Sequence, residues 1–178
     1  MEHYISHIID MRGVEFGTTF DLHGIQCGIA TVTSLRLYEK LREIEQPDKE
    51  VALRFVQSFQ YENWAAFLRK HLGKSAEAMI ALEEKEHKYD PASHEKRLNL
   101  ILENWSKLRE FMMQLPTAAQ VENLLRSIGA PTRFEEIGIT AEEEKNAILM
   151  SKDIRDKYVG TRLLWDLGLL DWAIADIG

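Results

Sequence analysis

Apolar residues recur along most of this chain every three or four positions, the spacing of one face of an α-helix. Between Ala30 and Ile44 they fall at Val32, Leu35, Leu37, Tyr38 and Leu41, and Pro47 stops the segment. From Leu98 the rhythm continues through Ile101, Trp105, Leu108, Met112 and Leu115, which predicts one continuous helix ended by Pro116. Thr117 offers a cap for AAQVENLLRSIGA, which Gly129 and Pro131 close. Thr140-Ala-Glu-Glu143 is a capping box opening a predicted helix that reaches towards Tyr158. Acidic residues fill its first turn and basic ones its end, as the helix dipole favours. The closing stretch TRLLWDLGLLDWAIADI predicts one or two short helices broken near Gly168. No run alternates with strand period, and no Asn-Gly or Asp-Gly hairpin signal appears. The pattern predicts an all-α, multi-helix bundle.

Length and composition narrow this to one ordinary domain. The 178 residues, 45% hydrophobic and 29% charged, suit a single core, with no repeat, low-complexity tract or linker. The net charge of −7 leaves no basic footprint for nucleic acid. No apolar run approaches the roughly 18 residues of a spanning helix, and no basic amphipathic stretch suggests a membrane surface. The first residues lack a signal-peptide pattern, and the single cysteine, Cys27, excludes an internal disulfide. The expectation is a cytoplasmic protein with neither nucleic acid nor membrane as partner.

The chemistry concentrates at the start. His3 and His7 in MEHYISHIID lie four residues apart, so a helix over residues 2 to 12 projects both from one face. Gly13 and Gly17 then mark a predicted loop, and His23 opens the next helix. Converging imidazoles suit zinc or iron(II). On spacing alone, H-x-x-x-H is equally the mark of a solvated helix face, and the absence of H-E-x-x-H gives no support for a zinc protease.

EHYISHIIDM resembles a Glu-His-x-x-Ser-His helix, and LHGIQCGIATV resembles a His-Gly-x-Gln-Cys/Val-Gly segment. IGAP, EEIGIT, IRDKY and LLWDLGLLD follow in the same order as in one family. Together these resemble the C-terminal helical domain of the glycerol-1-phosphate dehydrogenases, including the AraM-like enzymes. These belong to the superfamily of dehydroquinate synthase and iron-containing alcohol dehydrogenases. The resemblance implies that His3 and His23 are metal ligands and that His7 is an active-site histidine beside the substrate. It implies a divalent metal, with zinc first and iron or nickel as alternatives, and a small phosphorylated polyol as substrate. Gln26 and Cys27 match the motif without a catalytic role, while Ile25 stands where many members carry an acidic residue.

In that family a carboxylate preceding the first histidine helix is the third ligand, and NAD(P) binds an N-terminal α/β domain. The 178 residues contain no G-x-G-x-x-G and no strand-turn-helix for a pyrophosphate, so NAD(P) is expected only with that further domain. The implied function is the helical, metal-ligating half of an NAD(P)-linked oxidoreductase that interconverts glycerol 1-phosphate and dihydroxyacetone phosphate, inactive alone. Two alternatives are a stand-alone interaction protein that forms a homodimer and a fragment of a glycerol or polyol dehydrogenase.

The remaining candidates read as structural. Trp64, Trp105, Trp165 and Trp172 fall at apolar helical positions, as core or interface. Cys27 reads as a small buried residue. His71 sits near a helix end, where its charge would suit the dipole, and His87 and His94 flank a loop as solvated residues. Glu83–Glu86 and Glu142–Glu144 read as solvated faces, and Arg69, Lys70 and Lys74 near Ser75 as solubilising charges.

Overall fold

The computed structural model describes residues 1–175 and 177; the part of the closing stretch at Asp176 lies outside the described residues, as does Gly178. Among the described residues there are α-helices and two short 3-10 turns but no strand, the all-α bundle that the hydrophobic spacing predicts. The helices are α1 Glu2–Phe16, α2 His23–Glu43, α3 Lys49–Gln57, α4 Tyr61–Leu72, α5 Ala76–Glu86, α6 Pro91–Glu103, α7 Trp105–Met113, α8 Ala118–Ser127, α9 Ala141–Ser151, α10 Gly160–Asp166 and α11 Leu170–Ile174. None is long and apolar enough to cross a membrane.

The termini follow local chemistry. The Asp48 carboxylate accepts from the backbone N–H groups of Glu50 and Val51, and Asp90 accepts from Ser93 with Pro91 in the first turn. Thr117 and Thr140 both form capping boxes, with Gln120 and Glu143 as reciprocal partners. Each satisfies backbone donors that the first helical turn leaves open.

α1 and α2 lie at the centre. α1 packs on α2, α4 and α9, while α2 also meets α7, α8, α10 and α11. The main core gathers Ile5, Ile8, Ile29, Leu37, Leu68, Leu98 and Ile148, all with no exposed surface. Polar ties fix the position of α1: Arg12 Nη1 donates to the His71 carbonyl at 2.9 Å, and Arg12 Nη2 stands 3.7 Å from Glu143 Oε1. Thr33 Oγ1 donates to Glu144 Oε1 at 2.8 Å, tying α2 to α9.

Several boundaries differ from the pattern. Gly13 does not open a loop but lies buried inside α1, where the Phe20 ring packs so closely that a β-carbon would collide with it. α1 ends instead at Gly17, whose φ of 67° is the left-handed conformation glycine adopts without steric cost. The continuous helix from Leu98 breaks at Asn104, whose Nδ2 donates back to the Leu100 carbonyl. The break aims Trp105 at the end of α2, where its Nε1 donates to the Ile44 carbonyl at 3.2 Å. α9 stops at Ser151 rather than near Tyr158, because the next two residues turn inward to a buried charge cluster.

Asp153 centres that cluster. Trp64 Nε1, Tyr89 Oη, Lys152 Nζ and Arg162 Nη2 all donate to its carboxylate, at 2.6 to 2.9 Å. Burial alone would push the Asp153 pKa up; Lys152, Arg162 and the hydrogen bonds outweigh it and hold the group below its ordinary value. The Arg162 guanidinium also lies over the Tyr89 and Trp165 rings, 4.6 and 5.1 Å from their centroids.

Some residues expected in solvent are buried for polar reasons. His94 has no exposed surface, and its Nε2 donates to the Asp166 carbonyl at 2.8 Å. Glu144, expected on a solvated face, is buried against Thr33, and Glu83 is buried and accepts from the Tyr89 backbone N–H. Trp64, Trp105 and Trp165 are core residues, whereas Trp172 is 43% exposed.

Candidate metal centre

One turn of α-helix separates residues three or four apart, so α1 carries His3, Ser6, His7 and Asp10 along one stripe. α2 begins at His23 and brings Gln26 and Cys27 to the same side one turn later. The packing of α1 against α2 merges the two stripes.

The three sequence-predicted histidines converge. His3 Nε2 lies 2.8 Å from His7 Nε2, and His3 Nδ1 lies 3.1 Å from His23 Nε2. The ring centroids are 4.3 to 5.1 Å apart in all three pairs. His3 and His23 are exposed and His7 is half-buried, so the cluster opens to solvent.

Beneath the imidazoles lies a polar floor. Gln26, with no exposed surface, donates from Nε2 to Asp10 Oδ1 at 2.6 Å and to Ser6 Oγ at 3.0 Å. Asp10 Oδ2 stands 3.0 Å from His23 Nδ1, and Ser6 Oγ stands 2.9 Å from the same nitrogen. A carboxylate only accepts, so it assigns the proton to His23 Nδ1 and leaves Nε2 with a free electron pair. This carboxylate–histidine arrangement is the one that orients imidazole ligands of metals. Cys27 Sγ stands 3.5 Å from that Nε2.

Electrostatics favour uncharged imidazole at His7. Its pKa is lowered first by burial and then by His3 and His23; Asp10 opposes the shift and Arg155 adds to it. Among the described residues, two donor sets have ligand atoms mutually within 4.8 Å, namely His3, His23 and Cys27, and His7, Asp10 and His23. Nitrogen with sulfur or a single carboxylate suits zinc or another borderline transition ion, and not the all-oxygen preference of magnesium or calcium.

His3, His7 and His23 thus form one cluster, as the sequence reading placed them. Asp10 and Cys27 were missed as participants. Helical spacing carried the signal for both, since Asp10 follows His7 by three residues and Cys27 follows His23 by four. Cys27 is half-buried beside the imidazoles rather than an inert core residue. His71 lies elsewhere, near the end of α4; burial, then the charges of Arg12 and Lys70, lower its pKa and disfavour the charge expected there. Arg69 pairs with Glu77 at 2.7 Å. In comparisons with family models, curated proteins and solved structures, none matched the chain.

Proposed function

We propose that this chain is the helical, metal-ligating part of a metal-dependent, NAD(P)-linked oxidoreductase of the sn-glycerol-1-phosphate dehydrogenase type. One observation carries the reading: His3, His7 and His23, from two different helices, meet within hydrogen-bond distance above an Asp10 that orients His23. His3 and His23 would hold the divalent metal, zinc before iron or nickel. When bound, it supplies Lewis-acid polarisation of an alcohol or carbonyl oxygen. Asp10, Ser6 and Gln26 keep the His23 ring in place. His7, largely neutral near pH 7 because its pKa is lowered, can accept or return a proton at a ring nitrogen. NAD(P) belongs to a further α/β domain, and the isolated chain is proposed to be inactive and cytoplasmic.

The test is to capture the native protein from its source cells, weigh it, and assay glycerol-1-phosphate-dependent reduction of NAD(P). An added domain of about 150 residues would give a species of roughly twice 20.6 kDa. That mass, with activity lost in His3→Ala and His23→Ala, is the expected result. A species near 20.6 kDa without NAD(P) reduction overturns the proposal.

A second reading, a stand-alone interaction protein, is favoured by a different surface. Leu100 and Phe111, 63% and 68% exposed, flank a largely apolar cleft of about 730 Å³ that also takes in Tyr38, Leu108 and Leu163. Contiguous exposed apolar surface commonly marks an interface. A dimer in sedimentation, dissociated by Phe111→Glu, would support this reading, and a monomer at high concentration would remove it.

A further inference from the structure

We infer that Cys27 supplies the third protein ligand of the metal centre, so that the chain by itself carries a His3–His23–Cys27 site. The inference rests on the metal-binding part of the function proposed above but not on the dehydrogenase chemistry. It also replaces the expectation that these helices must borrow a carboxylate before they can hold the ion.

The geometry points to it. Zinc binds imidazole nitrogen at about 2.0–2.1 Å and thiolate sulfur at about 2.3 Å in a tetrahedron. Those lengths require edges of about 3.3 Å between two nitrogens and about 3.5 Å between nitrogen and sulfur. His23 Nε2 lies 3.1 Å from His3 Nδ1 and 3.5 Å from Cys27 Sγ. One donor atom from each of the three residues lies within 4.8 Å of the other two. The helices already hold two of the three donor pairs close to ligand spacing and the third within 4.8 Å.

The other groups leave this role open to Cys27. Asp10 is engaged at both oxygens, by Gln26 on one and His23 Nδ1 on the other. It faces the far nitrogen of His23 from the one that meets the thiol. As the orienting partner of His23, Asp10 already has a role beside the ion rather than on it. His7 bonds His3 at Nε2, away from the Nδ1 that faces His23. On binding, the thiol releases its proton to water and the thiolate donates an electron pair to the ion; nothing is oxidised or reduced. Three protein ligands leave a fourth position for water or a substrate oxygen, the arrangement of catalytic rather than structural zinc sites. A sulfur donor also shifts preference towards zinc and away from harder ions.

Cobalt(II) is the probe, because a thiolate ligand gives sulfur-to-cobalt charge transfer in the near ultraviolet and a tetrahedral site gives intense visible bands. The purified chain should bind one cobalt with both features, and zinc should displace it. Cys27→Ser should lose the near-ultraviolet band and weaken zinc binding by more than about tenfold, the least that disturbing an orienting partner costs. Circular dichroism and melting confirm that the variant folds. Cys27 is the single cysteine, so its reaction with a thiol reagent gives an independent readout in the unaltered chain. Zinc should slow that reaction.

Cobalt bound without sulfur charge transfer, undiminished zinc affinity in Cys27→Ser, or a thiol whose reactivity zinc does not change would overturn the assignment. Each of those outcomes leaves the histidine-based reading standing. Failure of the unaltered chain to bind either ion would overturn the assignment as well, and would leave the reading in which a carboxylate from a further domain completes the site.

Discussion

Asp153→Asn should be among the most damaging single substitutions in this protein. The hydrogen-bond partners of the Asp153 carboxylate among the described residues are all donors: Trp64 Nε1, Tyr89 Oη, Lys152 Nζ and Arg162 Nη2. Asparagine keeps one acceptor oxygen and turns an NH₂ group towards donors that cannot accept from it. It also leaves two cations, 7% and 3% exposed, without the buried charge that balances them. Removing one partner of a buried ion pair costs about 3–5 kcal/mol, against a total stability of about 5–15 kcal/mol. For a chain of this size that corresponds to a fall in Tm of about 6–20 °C.

The pH dependence carries a sign. Asp153 is held below its ordinary pKa in the folded state, so its contribution is fully present above about pH 4, the unfolded range. It is lost as pH falls through the lower folded-state value, and the gap between wild type and Asp153→Asn should narrow on acidification. Thermal melts by circular dichroism over a pH series measure both quantities. A fall in Tm of less than about 3 °C near neutrality, or a gap that does not narrow in acid, would show that the cluster does not work this way.

Three further outcomes are expected. Asp10→Ala should weaken zinc binding about 10- to 100-fold by freeing the His23 ring; competition with a chromophoric chelator measures this, and unchanged affinity would deny Asp10 an orienting role. Gly13→Ala should change stability by less than about 1 kcal/mol, because the Phe20 ring its β-carbon would meet is 56% exposed and can swing aside while alanine favours the helix interior; a loss above about 2 kcal/mol in thermal melts would contradict this. Burial raises the Glu144 pKa, so the folded state holds a proton that the unfolded chain releases, and stability falls as pH rises through that range. Glu144→Gln keeps the acceptor for Thr33 and should raise Tm at pH 8 but not below the ordinary carboxylate range; a uniform shift at both would contradict this.

How much was legible in the sequence follows the range of each interaction. The capping boxes at Thr117 and Thr140 and the break at Gly168 were readable because each involves residues only a few positions apart. The interruption at Asn104 was not, since the apolar stripe runs unbroken across it and the distant Ile44 carbonyl engages Trp105 there. His94 and Glu144 looked solvated because polarity alone does not reveal a buried partner, and theirs lie 72 and 111 positions away.

The same division runs through the candidate centre. The sequence by itself determined that His3 and His7 share a face with Asp10, and that His23 shares one with Cys27, because helix geometry places residues three and four apart together. It did not determine that the two faces meet, which nitrogen of His23 is held, or that Cys27 stands by the imidazoles. Those depend on how α1 packs across α2, and packing is settled by cores on both sides of each helix rather than by the pattern along either one.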